Sequence, residues 1–264
     1  MESWLARLKQ KRNIMICFLY EFCGAAFVTY AYNLSYQERG QAMCNPLIRG
    51  FAYFIGWMIA CSVSGAHFNP ATSLAVFIYE RSWSNLKTLI GYIFSQFLGA
   101  FAGIFVAYLL SRYYGAELYP NRYIINSSKN DLYFDEDGNI KYQRIIFQEI
   151  FQTFIFTLVF LIMKYRHTFA NTDDIVKGII LAFTLYVVYT MDIKAGESLN
   201  PAFALAESCL MFARQHFIQD KELLGDVVWV YLLFPFLGSA LASLLFILMD
   251  KHEKNLSKIM NGDD

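Results

Sequence analysis

Six stretches of the chain are apolar for about 17 to 25 residues each. They run at about 14–34, 46–63, 86–110, 145–163, 175–191 and 227–249. A bilayer core about 30 Å thick is crossed by roughly 20 helical residues. Inside it the backbone must satisfy its own hydrogen bonds, which leaves only helices and closed barrels. The pattern predicts an all-α membrane protein with six transmembrane helices. Two further apolar pieces, at about 70–79 and 201–212, are too short to cross and suit re-entrant half-helices. Charged residues are 17% of the 264, against about 25% in soluble domains. That deficit excludes a soluble enzyme, a nucleic-acid binder and a disordered chain. Lys+Arg and Asp+Glu are both 22, so no net field recruits nucleic acid; the bilayer is the first partner implied.

Basic residues orient such a chain. Arg7, Lys9, Lys11 and Arg12 precede the first span, and Lys164, Arg166 and His167 follow the fourth. Lys251, Lys254 and Lys258 follow the sixth. With six spans these segments share one side, and the positive-inside rule predicts both termini in the cytoplasm or its equivalent. The first span has no small-residue cleavage site after it and reads as an anchor. The polar stretch at about 112–144 falls on the opposite side and reads as a solvated loop. Its Asn126-Ser127-Ser128 matches a glycosylation pattern, relevant only if that side faces a secretory lumen. Cys17, Cys23, Cys44, Cys61 and Cys209 have no metal-ligand or paired spacing and read as packing residues. No metal or cofactor is expected.

The chain repeats itself. Ser64-Gly65-Ala66-His67-Phe68-Asn69-Pro70-Ala71 opens the first short piece, and Gly196-Glu197-Ser198-Leu199-Asn200-Pro201-Ala202 opens the second. Glu21 lies in the first span and Glu149 in the fourth. The glutamates are 128 residues apart and the asparagines 131. Each half is then a span with a buried Glu, a second span, Asn-Pro-Ala with a half-helix, and a third span. Three spans per half is odd, so the second half inserts upside down, with function expected at mid-membrane. Pro suits the first helical turn, where its missing N–H is not needed, and Asn caps the start. Two such starts from opposite faces bring two positive dipole ends and two side-chain amides together. The expected organisation is one domain over 1–264: first repeat about 14–111, loop about 112–144, second repeat about 145–249, tail 250–264.

On these residues the sequence resembles the aquaporin and aquaglyceroporin family, the major intrinsic proteins, from about residue 20 to 248. Glu21-Phe22, Gln96, Gly99-Ala100, Glu149, Pro235 and Gly238 extend the resemblance. It implies six tilted helices, two half-helices, one pore per chain and a homotetramer. It also implies that Asn69, Pro70, Ala71, Asn200, Pro201 and Ala202 line the pore. Glu21 and Glu149 would brace the half-helix loops, as would His67 and Gln96. The Gly99/Gly103 pair has close-packing spacing, either within the chain or between chains.

The sequence departs from the family at the pore. Where the second signature continues with Arg, this chain has Phe203. Counting back from Asn69 in the family register puts Arg49 at the filter position of the second span, where an aromatic is usual. The fifth-span position falls on Val187 or Val188, with Val188 preferred. Glu197 stands where a small residue is usual. Two arrangements are open. In one, Arg49, Val188, Glu197 and Phe203 form a rebuilt filter in which Arg49 and Glu197 pair, since a lone buried charge is costly. In the other, Arg49 snorkels to the membrane face and Phe203 plugs an unused lumen.

The expected function is a passive channel for water or small uncharged solutes with this atypical filter. The alternative is a non-conducting structural subunit of a larger membrane assembly, with other membrane subunits as partners. No nucleophile motif, phosphate-cradling loop or His/Cys/Asp cluster suggests an enzyme. A secondary transporter fits the half-helices less well than a static pore.

Overall fold

The computed structural model describes residues 2–34, 44–111, 140–191, 198–213 and 221–261. These form eight α-helices: α1 (Glu2–Leu34), α2 (Cys44–Ala60), α3 (Pro70–Glu80), α4 (Leu86–Ser111), α5 (Tyr142–Tyr165), α6 (Asp174–Met191), α7 (Pro201–Ala213) and α8 (Lys221–Asn261). No β-strand occurs among the described residues. Helices α1, α4, α5, α6 and α8 are each long and apolar enough to cross a bilayer. Helix α2 has 17 residues, at the short end of a spanning helix, and stops at Ala60 in a turn. Helices α3 and α7, at 11 and 13 residues, are half-length. Large apolar side chains such as Phe94, Phe105, Phe147, Phe183 and Leu248 are exposed, which suits a lipid-facing surface.

Two helices are longer than the apolar pattern implies. Helix α1 takes in the basic N-terminal run, and α8 continues past the apolar stretch to Asn261. Residues 250–261 hold no Gly or Pro. Asp250 pairs with Lys254 one turn on at 2.7 Å, the favoured acid-before-base order. Glu253 pairs with Arg166, tying the end of α8 to the α5–α6 link.

Three close pairings organise the bundle: α1 with α4, α5 with α8, and α2 with α6. Each has a glycine where a backbone comes close. A Cβ on Gly99 or Gly103 would lie 2.3 Å from Phe22 O or 2.1 Å from Ala26 O. One on Gly238 would lie 2.3 Å from Ile150 O, and one on Gly50 2.5 Å from Ala182 O. Gly99 and Gly103 thus seat α4 on α1 within one chain. Helix α3 packs on α8 as well as α4, and α7 on α4 as well as α8. Each half-helix is therefore clasped by the other half. Pro235 inside α8 has no N–H to give Tyr231 O, and Ser198 Oγ donates there instead at 3.3 Å.

Candidate functional site

Both Asn-Pro-Ala segments start helices in the same way. Asn69 Oδ1 accepts from Ala71 N–H at 2.8 Å, and Asn200 Oδ1 from Ala202 N–H at 3.0 Å. Pro70 and Pro201 take the first helical position. The amide nitrogens cross between halves. Asn69 Nδ2 donates to Leu199 O at 2.7 Å, and Asn200 Nδ2 to Phe68 O at 2.9 Å. Each amide has two N–H groups, so the cross-bond uses one and a second remains for a lumen. The two helix starts thus meet, with their positive ends together.

The loops before them are strained and held by carboxylates. Phe68 and Leu199, each just before its Asn, have φ of 52° and 51°, and Ala66 has 52°. Left-handed backbone at such residues costs about 1–3 kcal/mol each. Glu21, fully buried, accepts from Ser64 Oγ at 2.6 Å, His67 N–H at 3.0 Å, Phe68 N–H at 2.7 Å and Gln96 Nε2 at 2.7 Å. Glu149, also buried, accepts from Ser198 N–H at 2.8 Å and Leu199 N–H at 3.2 Å. In both halves a membrane-buried carboxylate takes the N–H groups of the strained residues, the kind of partner it requires there.

His67 lies between Ser73 and Lys164. Lys164 Nζ is 2.9 Å from His67 Nε2, and His67 Nδ1 is 3.1 Å from Ser73 Oγ. An ammonium can only donate, so Nε2 accepts and the ring proton sits on Nδ1. A cavity of about 190 Å³ adjoins this chain, lined in part by Ser64, His67, Ser73, Thr88, Tyr92 and Lys164. Lys164 carries no family motif in the sequence; only its place in the basic run after the fourth span marks it.

At the other end, Arg49 is buried, 6% exposed. Its guanidinium lies 3.3 Å from the centre of the Tyr32 ring and 4.7 Å from that of Tyr189. Tyr32 in turn lies 4.0 Å from Phe203, centre to centre. Arg49 and Phe203 thus both contact the Tyr32 ring, and the buried Arg49 does not reach the surface. Val188 is fully buried, whereas Val187 is half exposed, so Val188 is the α6 valine facing inward. Glu197 lies outside the described residues, as do Asn126 and the rest of 112–139. Tyr32 and Tyr189 were missed by sequence reasoning. Both lie in apolar runs near span ends, where aromatic residues are common.

Below Arg49 the inward face of α2 carries Tyr53 and Trp57, spaced by four. Tyr53 packs edge-on to Phe68 and Phe156, and its hydroxyl donates to Ala66 O at 2.8 Å. Trp57 packs on Phe160 and donates to Asp174 O at 2.9 Å.

Two inverted halves whose capped half-helices meet at paired asparagines define a membrane protein of the channel type. The chain belongs to the major intrinsic protein family, whose sequence profile matches residues 9–246. It is an integral, multi-pass member of that family of membrane channels for water and small solutes. Among its relatives, a glycerol uptake facilitator-like protein of Lactiplantibacillus plantarum is 27% identical over 86% of this chain and 90% of its own length. The aquaglyceroporin of Plasmodium falciparum is 27% identical over 72% of this chain and 70% of its own. An X-ray structure of the Plasmodium falciparum aquaglyceroporin superposes with a TM-score of 0.68, covering 89% of this chain and 96% of that one at 22% identity. The fold is the aquaporin fold.

Proposed function

We propose that the chain is a passive channel for water or small uncharged solutes, with an end constriction in which cation and aromatic have exchanged walls. Arg49 on α2 supplies the positive charge, and Phe203 on α7 supplies the aromatic wall. The observation that carries this reading is the Arg49–Tyr32–Phe203 cluster, with the guanidinium 3.3 Å from the centre of the Tyr32 ring and the tilted Phe203 ring 4.0 Å from it. A guanidinium held on an aromatic ring keeps its charge at a desolvated site. It adds to the positive ends of α3 and α7 as a barrier to cations and protons. Glu21, Glu149, His67 and Gln96 serve as braces that keep the two Asn-capped starts in register. By the positive-inside rule both termini face the cytoplasm; the assembly is a homotetramer, one lumen per chain. Relatives named as an aquaglyceroporin and a glycerol uptake facilitator support small polyols beside water as solutes.

The second reading is a non-conducting structural subunit. Two buried ring clusters, Phe203 with Tyr32 and Tyr189, and Tyr53 with Phe68, Phe156, Phe160 and Trp57, favour it. Stopped-flow shrinkage of proteoliposomes decides between them, first against sucrose and then glycerol. A channel shrinks faster than empty vesicles and re-swells with the solute that passes. Folded protein no faster than empty vesicles, in every variant tried, gives the structural reading.

A further inference from the structure

The residues just before Asn69 offer backbone carbonyls as acceptors. Their use is specific. Phe68 O accepts from Asn200 Nδ2, and Ser64 O from the Tyr92 hydroxyl. Ala66 O accepts from the Tyr53 hydroxyl at 2.8 Å. Tyr53 is not a peripheral residue. It sits on the same face of α2 as Arg49, one turn on, and is 3% exposed. Its ring is 5.9 Å from Phe68, the residue just before Asn69, and 5.4 Å from Phe156 of α5. The phenol therefore lies against both Phe68, at the meeting point of the half-helices, and Phe156 of α5, with its hydroxyl on a loop carbonyl.

We propose that Tyr53 forms a second constriction, inside the Arg49–Phe203 one, and sets which solutes pass and how fast. The inference rests on the channel reading. In this arrangement the hydroxyl holds the Ala66 carbonyl as a permeating molecule would. Passage then requires the solute to displace that hydrogen bond and to move the ring from its place against Phe68 and Phe156. The residue acts in two separable ways: the hydroxyl competes for an acceptor, and the ring fills space. A Phe at this position removes the first and keeps the second; a Val removes both.

The test compares native protein, Tyr53→Phe and Tyr53→Val in proteoliposomes, reading water permeability and the glycerol-to-water ratio. Tyr53→Phe is expected to pass water about fivefold faster than native, the rate consequence of about one net hydrogen bond no longer displaced. The glycerol ratio stays unchanged. Tyr53→Val is expected to raise both water permeability and the glycerol ratio. A fold defect alone lowers permeability and does not raise that ratio, and Tyr53→Phe, which keeps the packing, guards against the larger substitution failing to fold. Inert native protein with a conducting Tyr53→Val supports a constriction at this ring but overturns the channel reading of the native chain. Native protein that conducts while neither variant differs from it overturns the proposal and leaves the channel reading standing. All three inert, though monodisperse and folded, overturns both.

Discussion

At the scale of single residues, the two buried carboxylates carry the sharpest expectation. Glu21 is an acceptor for Ser64, His67, Phe68 and Gln96 at once. Glu21→Gln swaps one oxygen for an NH₂ that cannot accept and sets donors against donors. Each orphaned buried donor costs about 1–3 kcal/mol, and the left-handed Phe68 loses its tie. The variant should melt at clearly lower temperature in detergent, read by size-exclusion after heating; an unchanged midpoint means the loop is held by something else. Arg49 gives a second expectation. Arg49→Gln removes the charge above Tyr32 while keeping much of the stem. If the cation contributes about 1.4 kcal/mol to the proton barrier, proton leak into dye-loaded vesicles rises about tenfold. No rise places the barrier wholly at the half-helix ends. These residues differ in how the sequence disclosed them. Asn69 and Asn200 were legible because a helix start fixes its cap, its proline and their spacing. Tyr32, Tyr53 and Tyr189 were not, because an aromatic in an apolar run looks the same whether it faces lipid, core or lumen.

Among the elements, the apolar pattern gave the spans and half-helices to within a few residues, since bilayer thickness fixes their length. It did not give the ends of α1 and α8. Polar helix beyond the apolar run is set by local pairs such as Asp250–Lys254 and by the tie from Glu253 to Arg166, which hydropathy does not register. Helix pairing was half legible. The Gly99/Gly103 spacing marked a close contact, but whether within or between chains depended on the three-dimensional path. Because Gly238 stands against Ile150 O as Gly99 stands against Phe22 O, both contacts tolerate no side chain. Gly238→Val should abolish the monodisperse peak, with Gly99→Val behaving alike. Gly225 is the control, with nothing within 4 Å of a Cβ in the same helix as Gly238. There Gly225→Ala should hold or gain up to about 1 kcal/mol from helix propensity. If Gly238→Val elutes like native protein, α5 and α8 can separate and the pairing is looser than the backbone distance implies.

At the scale of the whole molecule, the inverted repeat does more than duplicate a unit; it makes each half depend on the other. Helix α3 belongs to the first half but packs on α8 of the second, and α7 of the second packs on α4 of the first. The hydrogen bonds follow the same exchange: Asn69 donates to Leu199, Asn200 to Phe68, and Ser243 on α8 to Ala75 on α3. A half alone would leave these carbonyls and a half-helix surface without their partners at a depth where water is scarce, a cost of several kcal/mol per group. The polar stretch about 112–139 lies between the halves in sequence, so a cut there falls outside every described helix. Two fragments, 1–125 and 126–264, should each be degraded or aggregated when expressed singly. Expressed together, with a tag on one only, they should co-purify as a protease-resistant complex. Alanine at both Asn69 and Asn200 should weaken that co-purification, since it deletes the crossing amides while leaving both apolar surfaces. A first fragment that is monodisperse and protease-resistant by itself would show that the halves fold independently and that the cross-bonds are a consequence of docking, with no part in holding each half folded.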